Sequence, residues 1–260
     1  MASRLSWLVA RPIAHRGLHD RAAGVIENTS SAVQAAIDHG FGVEIDVQVT
    51  ADGEAVVFHD SKLDRLTEAS GLVADRPLRD LVTLDVGGGA DRIWTLGECL
   101  DLVGGKVPLV VEVKASRGGD TRLARRVAEL LSDRGGPVAA KSFDPRVLVL
   151  LRSLAPRTPR GVVGDAFDPA DASWAHLSGA QRFVARNMLH WRATRPDFVS
   201  WNVRDLTRRS VRLSRSSGVP VMAWTVRTPE DQARAALGAD QMVFEGFVPA
   251  PTLGTGVSEA

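Results

Sequence analysis

Short apolar runs rich in Val, Ile and Leu alternate along the chain with longer amphipathic segments. This alternation is typical of βα units that surround a parallel sheet. The apolar runs predict eight strands, near residues 12–15, 42–49, 107–113, 137–142, 159–163, 197–201, 219–225 and 241–244. Helical patterns between them cover residues 29–39, 120–134, 145–154, 207–216 and 229–237. Eight strands with intervening helices favour a closed α/β TIM (β/α)8 barrel over an open doubly wound sheet.

Two stretches interrupt this alternation. Between His59 and Trp94 the sequence is rich in turn residues and includes Gly87-Gly88-Gly89. We interpret it as a small subdomain, at about residues 60–94, inserted after the second strand. The barrel with this insertion is assigned to residues 1–248. The composition of residues 249–260 predicts a flexible C-terminal tail.

Composition narrows the class of partner. The chain of 260 residues carries 32 basic and 31 acidic side chains, so its overall field gives no general attraction to nucleic acid or to an anionic membrane. Cys99 is the only cysteine, which excludes an internal disulfide and suits a reducing compartment. No apolar stretch approaches the roughly 18 residues that cross a bilayer, and residues 1–10 make a poor secretory signal. We therefore expect a cytoplasmic protein with no nucleic-acid partner and no stable membrane association; its oligomeric state stays open.

Paired carboxylates stand on the second predicted strand, in Val43-Glu44-Ile45-Asp46-Val47. Because side chains alternate along a strand, Glu44 and Asp46 share one face, toward the barrel mouth, and the aliphatic residues share the face toward the helices. Glu112 stands between two valines on the next strand, in the same relation. Like charges this close raise at least one pKa unless a cation neutralises them. Three carboxylates without clustered Cys or His suit a hard ion, Mg²⁺ or Ca²⁺, better than Zn²⁺.

The segment after this strand predicts a hairpin with Asp52-Gly53 at its turn. A two-residue loop sets Ala51 opposite Glu54 and, along the ladder, His59 opposite Asp46. An imidazole would then lie at the edge of the predicted metal site. A three-residue loop would shift the register by one and turn His59 to the other face.

A second histidine, His15, ends the first strand, which neighbours the second strand in a barrel. Two histidines beside one metal are suited to general acid and general base roles near neutral pH. Arg16 and Lys114 are available as donors to phosphate oxygens. Together these residues favour a metal-assisted phosphodiesterase.

With these residues in view, the chain resembles the glycerophosphodiester phosphodiesterase family over nearly its whole length. The motifs that carry the resemblance are Ile13-Ala14-His15-Arg16-Gly17, Glu27-Asn28-Thr29, Val43-Glu44-Ile45-Asp46-Val47, Val57-Phe58-His59-Asp60, Leu63-Asp64-Arg65, Val111-Glu112-Val113-Lys114, Ser142-Phe143-Asp144 and Ala223-Trp224-Thr225-Val226. The resemblance implies a TIM barrel with an inserted subdomain after the second strand. It also implies that Glu44, Asp46 and Glu112 bind Mg²⁺ or Ca²⁺, that His15 and His59 are the acid/base pair, that Arg16 and Lys114 bind the phosphate, and that Glu27 and Asn28 close the site beside it.

Two further positions concern the edge of this site. Trp224, at the end of the seventh strand, is a candidate for lining the glycerol pocket, although barrel packing would explain it nearly as well. After the last strand the family commonly has Thr-Asp, whereas this chain has Phe244-Glu245. Because of that departure Glu245 is left out of the predicted site.

By this resemblance the chain hydrolyses a small-molecule glycerophosphodiester to an alcohol and glycerol 3-phosphate. Direct attack by water and prior formation of a cyclic phosphate both stay open, as does the head group. One alternative is a phospholipase-type phosphodiesterase for phosphoinositides or sphingolipids, which needs an exposed apolar rim. The other is a barrel that binds phosphodiesters without turnover, which has no need of a paired acid and base.

Overall fold

The computed structural model describes residues 5–115 and 117–249. In this part of the chain one sheet contains the strands β1 (Ile13–His15), β2 (Gly42–Val49), β3 (Ala55–Val57), β4 (Leu109–Val113), β5 (Val138–Ser142), β6 (Arg160–Gly164), β7 (Phe198–Asn202), β8 (Val221–Val226) and β9 (Gln241–Phe244). All pair in parallel except β3, which pairs with β2 in antiparallel fashion. Because β1 pairs with both β2 and β9, the eight parallel strands close into a barrel. The predicted TIM barrel is confirmed.

Helices surround the barrel. They are α1 (Ser6–Val9), α2 (Ser30–Asp38), α3 (Leu78–Leu81), α4 (Leu96–Val103), α5 (Arg122–Ser132), α6 (Pro145–Leu154), α7 (Gly179–Arg186), α8 (Trp191–Thr194), α9 (Arg209–Ser216) and α10 (Pro229–Gly238). Side-chain caps define several starts: Thr29, Asp144 and Thr228 each accept a hydrogen bond from a backbone N–H of the first turn of α2, α6 and α10. The predicted flexible tail lies outside the described residues, apart from Pro249.

Side chains that alternate along the strands form two apolar layers. One layer, which includes Ile45 and Val111, packs between the strands and the surrounding helices. The other fills the barrel interior with Ile13, Phe198 and Met222, among others, and extends to Leu8 of α1. Because interior and exterior positions alternate, the carboxylates of β2 and β4 lie inside the barrel, beyond its apolar layer.

The hairpin between β2 and β3 differs from the prediction. Val49 pairs with Ala55, and the N–H of Thr50 donates to the carbonyl of Glu54, so the loop comprises residues 51–53 and the predicted two-residue turn is wrong. A two-residue type I′ turn needs positive φ at both central residues, but here Gly53 has a φ of +89° and Asp52 keeps a negative φ. The carboxylate of Asp52 instead accepts hydrogen bonds from Thr50 and from the N–H of Leu78.

The shifted register does not turn His59 away from the site, because strand pairing ends before that residue. The N–H of Phe58 donates to the carbonyl of Asp46 at 3.0 Å, and the amide of Gln48 then donates to the carbonyl of His59 at 2.8 Å. Beyond Phe58 the alternation of a strand no longer fixes the direction of the side chain.

The segment between β3 and α4 has an apolar cluster of its own. It contains Phe58, Leu63, Leu66, Val73, Leu81, Val86 and Ile93 of the segment, together with Val56 of β3 and Ile26 from the loop after β1. This packing is that of a small subdomain inserted after the second strand, while the boundaries 60–94 stay a prediction. The apolar residues in this cluster are buried and do not form an exposed apolar surface.

Close packing across β6 and β7 gives a test of the fold. A Cβ added at Gly161 would lie 2.2 Å from the ring of Phe198, which is fully buried in the barrel interior. We expect Gly161→Ala to lower the free energy of unfolding by about 1–3 kcal/mol, since overpacking forces its neighbours to move. Urea denaturation measures this change. The control is Gly179→Ala at the start of α7, where no atom lies within 4 Å of the added Cβ; equal effects of the two substitutions would contradict the packing.

Candidate active site

A cavity of about 370 Å³ opens at the carboxyl ends of the barrel strands. Seven residues predicted from the sequence contribute to its wall: His15, Arg16, Asp46, His59, Glu112, Lys114 and Trp224. Glu44 is fully buried directly beneath it, and Glu27 and Asn28 contact residues of the wall. The structure therefore brings the predicted residues together at one end of the barrel.

The three carboxylates form a compact buried group. Glu44, Asp46 and Glu112 are 0%, 1% and 5% exposed, and each offers an oxygen within 4.8 Å of the other two. Pairing of β2 with β4 sets Asp46 beside Glu112, and Glu44 lies two residues before Asp46 on the same face. We call these three residues the carboxylate triad.

Two lysines lie between members of the triad. The Nζ of Lys114 is 2.6 Å from Asp46 Oδ1 and 2.6 Å from Glu112 Oε1. The Nζ of Lys141 is 3.0 Å from Glu44 Oε1 and 3.1 Å from Glu112 Oε2. Each ammonium group therefore bridges two carboxylates.

Arg16 also contacts the triad. Its Nε lies 3.3 Å from Asp46 Oδ2, and its backbone N–H donates to Glu44 Oε2 at 3.2 Å. Its Nη1 donates to Glu27 Oε1 at 2.6 Å, and Arg65 donates to the same carboxylate from the inserted segment. Glu27 thus fixes the guanidinium of Arg16 at the edge of the cavity.

The cations keep two of the buried carboxylates, Asp46 and Glu112, ionised. Burial acts to raise the pKa of Asp46, but the positive charge of Lys114 and its neighbours holds that pKa well below its usual range. In the same way Lys114 and Lys141 outweigh burial and lower the pKa of Glu112 to about 2. Burial acts to lower the pKa of each lysine, yet their carboxylate partners raise both above the ordinary value. Asp46 and Glu112 are therefore anions that face two ammonium cations.

Asn28 holds Asp46 by two hydrogen bonds. Its Nδ2 donates to Asp46 Oδ2 at 3.0 Å, and its Oδ1 accepts from the N–H of Asp46 at 3.1 Å. The indole of Trp94 donates to the carbonyl of Asn28 at 2.8 Å. Asn28 has a φ of +61°, a conformation that asparagine adopts more readily than most residues.

Each of the two histidines at the cavity has a carboxylate on its Nδ1. His15 Nδ1 lies 2.6 Å from Glu245 Oε2, and His59 Nδ1 lies 2.6 Å from Asp60 Oδ1. Since an ionised carboxylate can only accept, Nδ1 is the donor in both pairs, and Nε2 is the nitrogen left for chemistry. The Nε2 of His15 lies 3.9 Å from Glu44 Oε2.

Glu245 is anchored on two sides. Its Oε2 also accepts a hydrogen bond from Arg227 Nη2 at 2.9 Å, and its Oε1 lies 4.0 Å from His19 Nε2. Burial acts to raise the pKa of Glu245, but the hydrogen bond from His15 and the charge of Arg227 lower it to about 2. The hydrogen bond from His59 likewise lowers the pKa of Asp60. Both carboxylates therefore stay negative beside their imidazoles.

Several members of this site were absent from the predicted set, namely Lys141, Glu245, Asp60, Arg227 and Phe143. Lys141 occupies an interior position of β5, and a charged side chain in an apolar strand is a signal that it has buried partners. Glu245 follows the last strand, β9. Because β9 pairs with β1 in parallel, the carboxyl ends of these two strands are neighbours. That adjacency gives a signal for contact with His15.

An aromatic wall faces the charged side of the cavity. The Nε1 of Trp224 donates to the carbonyl of Ser200 at 3.1 Å, and its ring meets that of Phe143 edge to face at 5.6 Å. Phe143 in turn contacts Trp174 with ring centroids 5.1 Å apart. Trp224 therefore contributes both to barrel packing and to the cavity surface.

The triad has the chemistry of a site for a hard cation. All its donors are carboxylate oxygens, as Mg²⁺ and Ca²⁺ prefer. Glu44 Oε1 is buried and makes no aligned hydrogen bond, although Lys141 Nζ lies near it. The residues present therefore fit a divalent cation.

Comparison with known proteins identifies the family. The model of the glycerophosphoryl diester phosphodiesterase family matches residues 15–244. The chain belongs to this family. YhdW of Bacillus subtilis strain 168 is 29% identical over 243 residues, 90% of this chain and 93% of its own length. A glycerophosphodiester phosphodiesterase of the same strain is 27% identical over 246 residues, 85% of this chain and 78% of its own.

Solved structures share the family fold. A glycerophosphodiester phosphodiesterase from Thermotoga maritima, 26% identical, superimposes with a TM-score of 0.66 over 89% of this chain and 92% of its own. A phosphodiesterase from Oleispira antarctica, solved in complex with the product sn-glycerol-3-phosphate, gives a TM-score of 0.73 over 90% of this chain and 92% of its own, at 24% identity. The resemblance that the motifs indicated is thus confirmed, and with it the class of phosphodiester hydrolase.

Within residues 5–115 and 117–249, none of the helices combines the length and the apolar character needed to cross a bilayer.

Glu27 offers a test of the charge arrangement at the edge of the site. Its ion pairs with Arg65 and Arg16 outweigh burial and lower its pKa to about 2, against 4.5 ordinarily. A depressed pKa of this kind adds stability above about pH 4.5 that is lost as the pH falls toward 2. We expect Glu27→Gln to lower the free energy of unfolding by roughly 2 kcal/mol at pH 6 and by less than half of that near pH 3.

Urea denaturation at pH 6, 4 and 3 measures this difference. Glu68→Gln, at an exposed position of the same inserted segment, serves as the control. If the free energy of unfolding of Glu27→Gln lies below that of wild type by the same amount at all three pH values, the assigned ion pairs are wrong.

Proposed function

We propose that this chain hydrolyses glycerophosphodiesters to an alcohol and glycerol 3-phosphate. In this proposal His15 and His59 are the acid/base pair, and the carboxylate triad of Glu44, Asp46 and Glu112 binds Mg²⁺ or Ca²⁺. The observation that carries the proposal is that two carboxylate-oriented imidazoles and the triad border one cavity. Family membership supplies the substrate class.

The two histidines divide the proton transfers. One Nε2 removes the proton from the attacking oxygen, and the other donates a proton to the departing alkoxide. Glu245 and Asp60 fix the Nδ1–H tautomer and stabilise whichever imidazole becomes positive during the reaction. Attack by water and attack by a neighbouring glycerol hydroxyl both require this same pair. A bound divalent cation would polarise the phosphoryl group.

The phosphate and the glycerol have separate parts of the cavity. Arg16 and Lys114 present cationic donors at its wall, and both suit the non-bridging phosphate oxygens. Trp224 and Phe143 supply the apolar wall opposite, which suits the carbon skeleton of glycerol. A cavity of about 370 Å³ is within the range that holds small ligands. The complex of the Oleispira antarctica structure with sn-glycerol-3-phosphate supports the same product here.

The alternatives have less support. A phospholipase-type enzyme needs an exposed apolar rim, but Leu63, Leu66 and Leu81 of the inserted segment are buried in its own cluster. A barrel that binds phosphodiesters without turnover needs no imidazoles held by carboxylates. Hydrolysis of a small glycerophosphodiester therefore fits the described residues best.

An assay of product release tests the reaction and its metal. Glycerophosphocholine incubated with the protein and Mg²⁺ or Ca²⁺ should release glycerol 3-phosphate, detected by a coupled dehydrogenase. Excess EDTA should stop the release, and added cation should restore it, since the triad lacks Cys and His ligands that would retain a metal tightly. The proposal fails if no glycerophosphodiester of a head-group panel is cleaved. If EDTA does not change turnover, the proposed requirement for a divalent cation is wrong.

Substitution of either histidine tests the acid/base pair. We expect His15→Ala and His59→Ala each to lower kcat by at least about a hundredfold, the size of a lost general acid or base. Circular dichroism should show an intact fold. The matched control is His39→Ala, an exposed histidine at the end of α2 that should leave kcat unchanged. Near-normal turnover in either of the first two variants would refute its role.

A further inference from the structure

Lys141 is a buried cation that the proposed reaction does not use. Its residue is 1% exposed, on an interior position of β5. Its ammonium group lies 3.0 Å from Glu44 and 3.1 Å from Glu112, so it contacts two of the three carboxylates of the triad. It borders the cavity, but almost none of its surface reaches solvent.

Side-chain cations already contact every carboxylate of the triad. Lys141, Lys114 and Arg16 each place a cationic nitrogen within 3.3 Å of one or two of the three carboxylates, and Arg16 is shared with Glu27. A divalent cation that enters this cluster adds two positive charges close to two ammonium groups. Repulsion between such charges is strong where little water screens it.

A phosphodiester changes this balance because it brings a negative charge to the same cavity. Cation and anion then offset each other, so each should bind better in the presence of the other. Such coupling is reciprocal between two ligands by thermodynamic necessity.

We infer that Lys141 lowers the affinity of the carboxylate triad for a divalent cation, so that the cation binds strongly only together with a phosphate ligand. The inference rests on the proposed metal site. It assigns to Lys141 the task of holding Glu44 and Glu112 in the metal-free protein, and of making metal occupancy depend on the phosphate ligand.

Calorimetric titration with CaCl₂ tests this without an activity assay. The wild-type protein should bind Ca²⁺ at least about tenfold more tightly with glycerol 3-phosphate present than without it. Lys141→Met should bind Ca²⁺ alone at least about tenfold more tightly than wild type, since one opposing charge is gone. The control is Lys106→Met, an exposed lysine that bonds only to the carbonyl of Leu102 in the described structure and should titrate like wild type.

Loss of Lys141 leaves two carboxylates with fewer partners, so Lys141→Met should also be less stable than wild type. A thermal melt turns this into a second readout. Ca²⁺ should raise the Tm of Lys141→Met more than that of wild type, because a ligand stabilises in proportion to its affinity for the folded state. Lys141→Gln keeps a polar group at this position. Ca²⁺ should raise its Tm, too, more than that of wild type.

The outcomes separate two failures. Equal Ca²⁺ affinity and equal thermal stabilisation in wild type and Lys141→Met would overturn the role of Lys141 while the metal site stands. A variant that Ca²⁺ does not stabilise would overturn it as well. If neither protein binds Ca²⁺ or Mg²⁺, with or without glycerol 3-phosphate, both the inference and the proposed metal site are wrong.

Discussion

The neutralisation of three buried carboxylates is the interaction on which the rest of this site depends. Isolated charges at 0–5% exposure would be prohibitively costly, so Glu44, Asp46 and Glu112 require cations within contact distance. Those cations come from separate segments: Arg16 follows β1, Lys114 follows β4 and Lys141 lies on β5. Parallel pairing of β1, β2, β4 and β5 makes all of these positions neighbours. The triad therefore meets its cations only where these strands are paired, and the charge arrangement requires the strand order.

Barrel closure also builds the first imidazole pair. His15 and Glu245 are 230 residues apart in sequence, and they meet because β1 pairs with β9 at the seam of the barrel. The second pair, His59 with Asp60, is local and needs no closure. The two histidines thus reach equivalent arrangements by different routes. Arg227, which also bonds Glu245, extends the first pair to the loop after β8.

The sequence predicted what depends on strand periodicity and local caps. Alternation on β2 and β4 was enough to predict the triad and its apolar opposite face, and the TIM barrel followed from eight strands with helices between them. The hairpin register was wrong because the side chain of Asp52 bonds to Leu78, a contact from the inserted segment that no local pattern contains. Lys141 was missed for a related reason: its partners Glu44 and Glu112 belong to other strands. Glu245 was considered but left out because it departs from the family pattern, and its contact with His15 depends on the pairing of β9 with β1. Local pattern therefore predicts which face a residue occupies, but not which distant charge it meets there.

The two lysines of the triad differ in a way that separates their roles. The side chain of Lys114 is 19% exposed and that of Lys141 is 2% exposed. Because Lys114 is the more exposed of the two, the proposed function has a substrate phosphate share its ammonium group with Asp46 and Glu112. Lys141 also borders the cavity, but its side chain is nearly buried and contacts Glu44 and Glu112. In the proposed reaction the nearly buried lysine would therefore stay with the triad while the more exposed lysine binds the phosphate, so that anion binding need not leave a buried carboxylate unpaired.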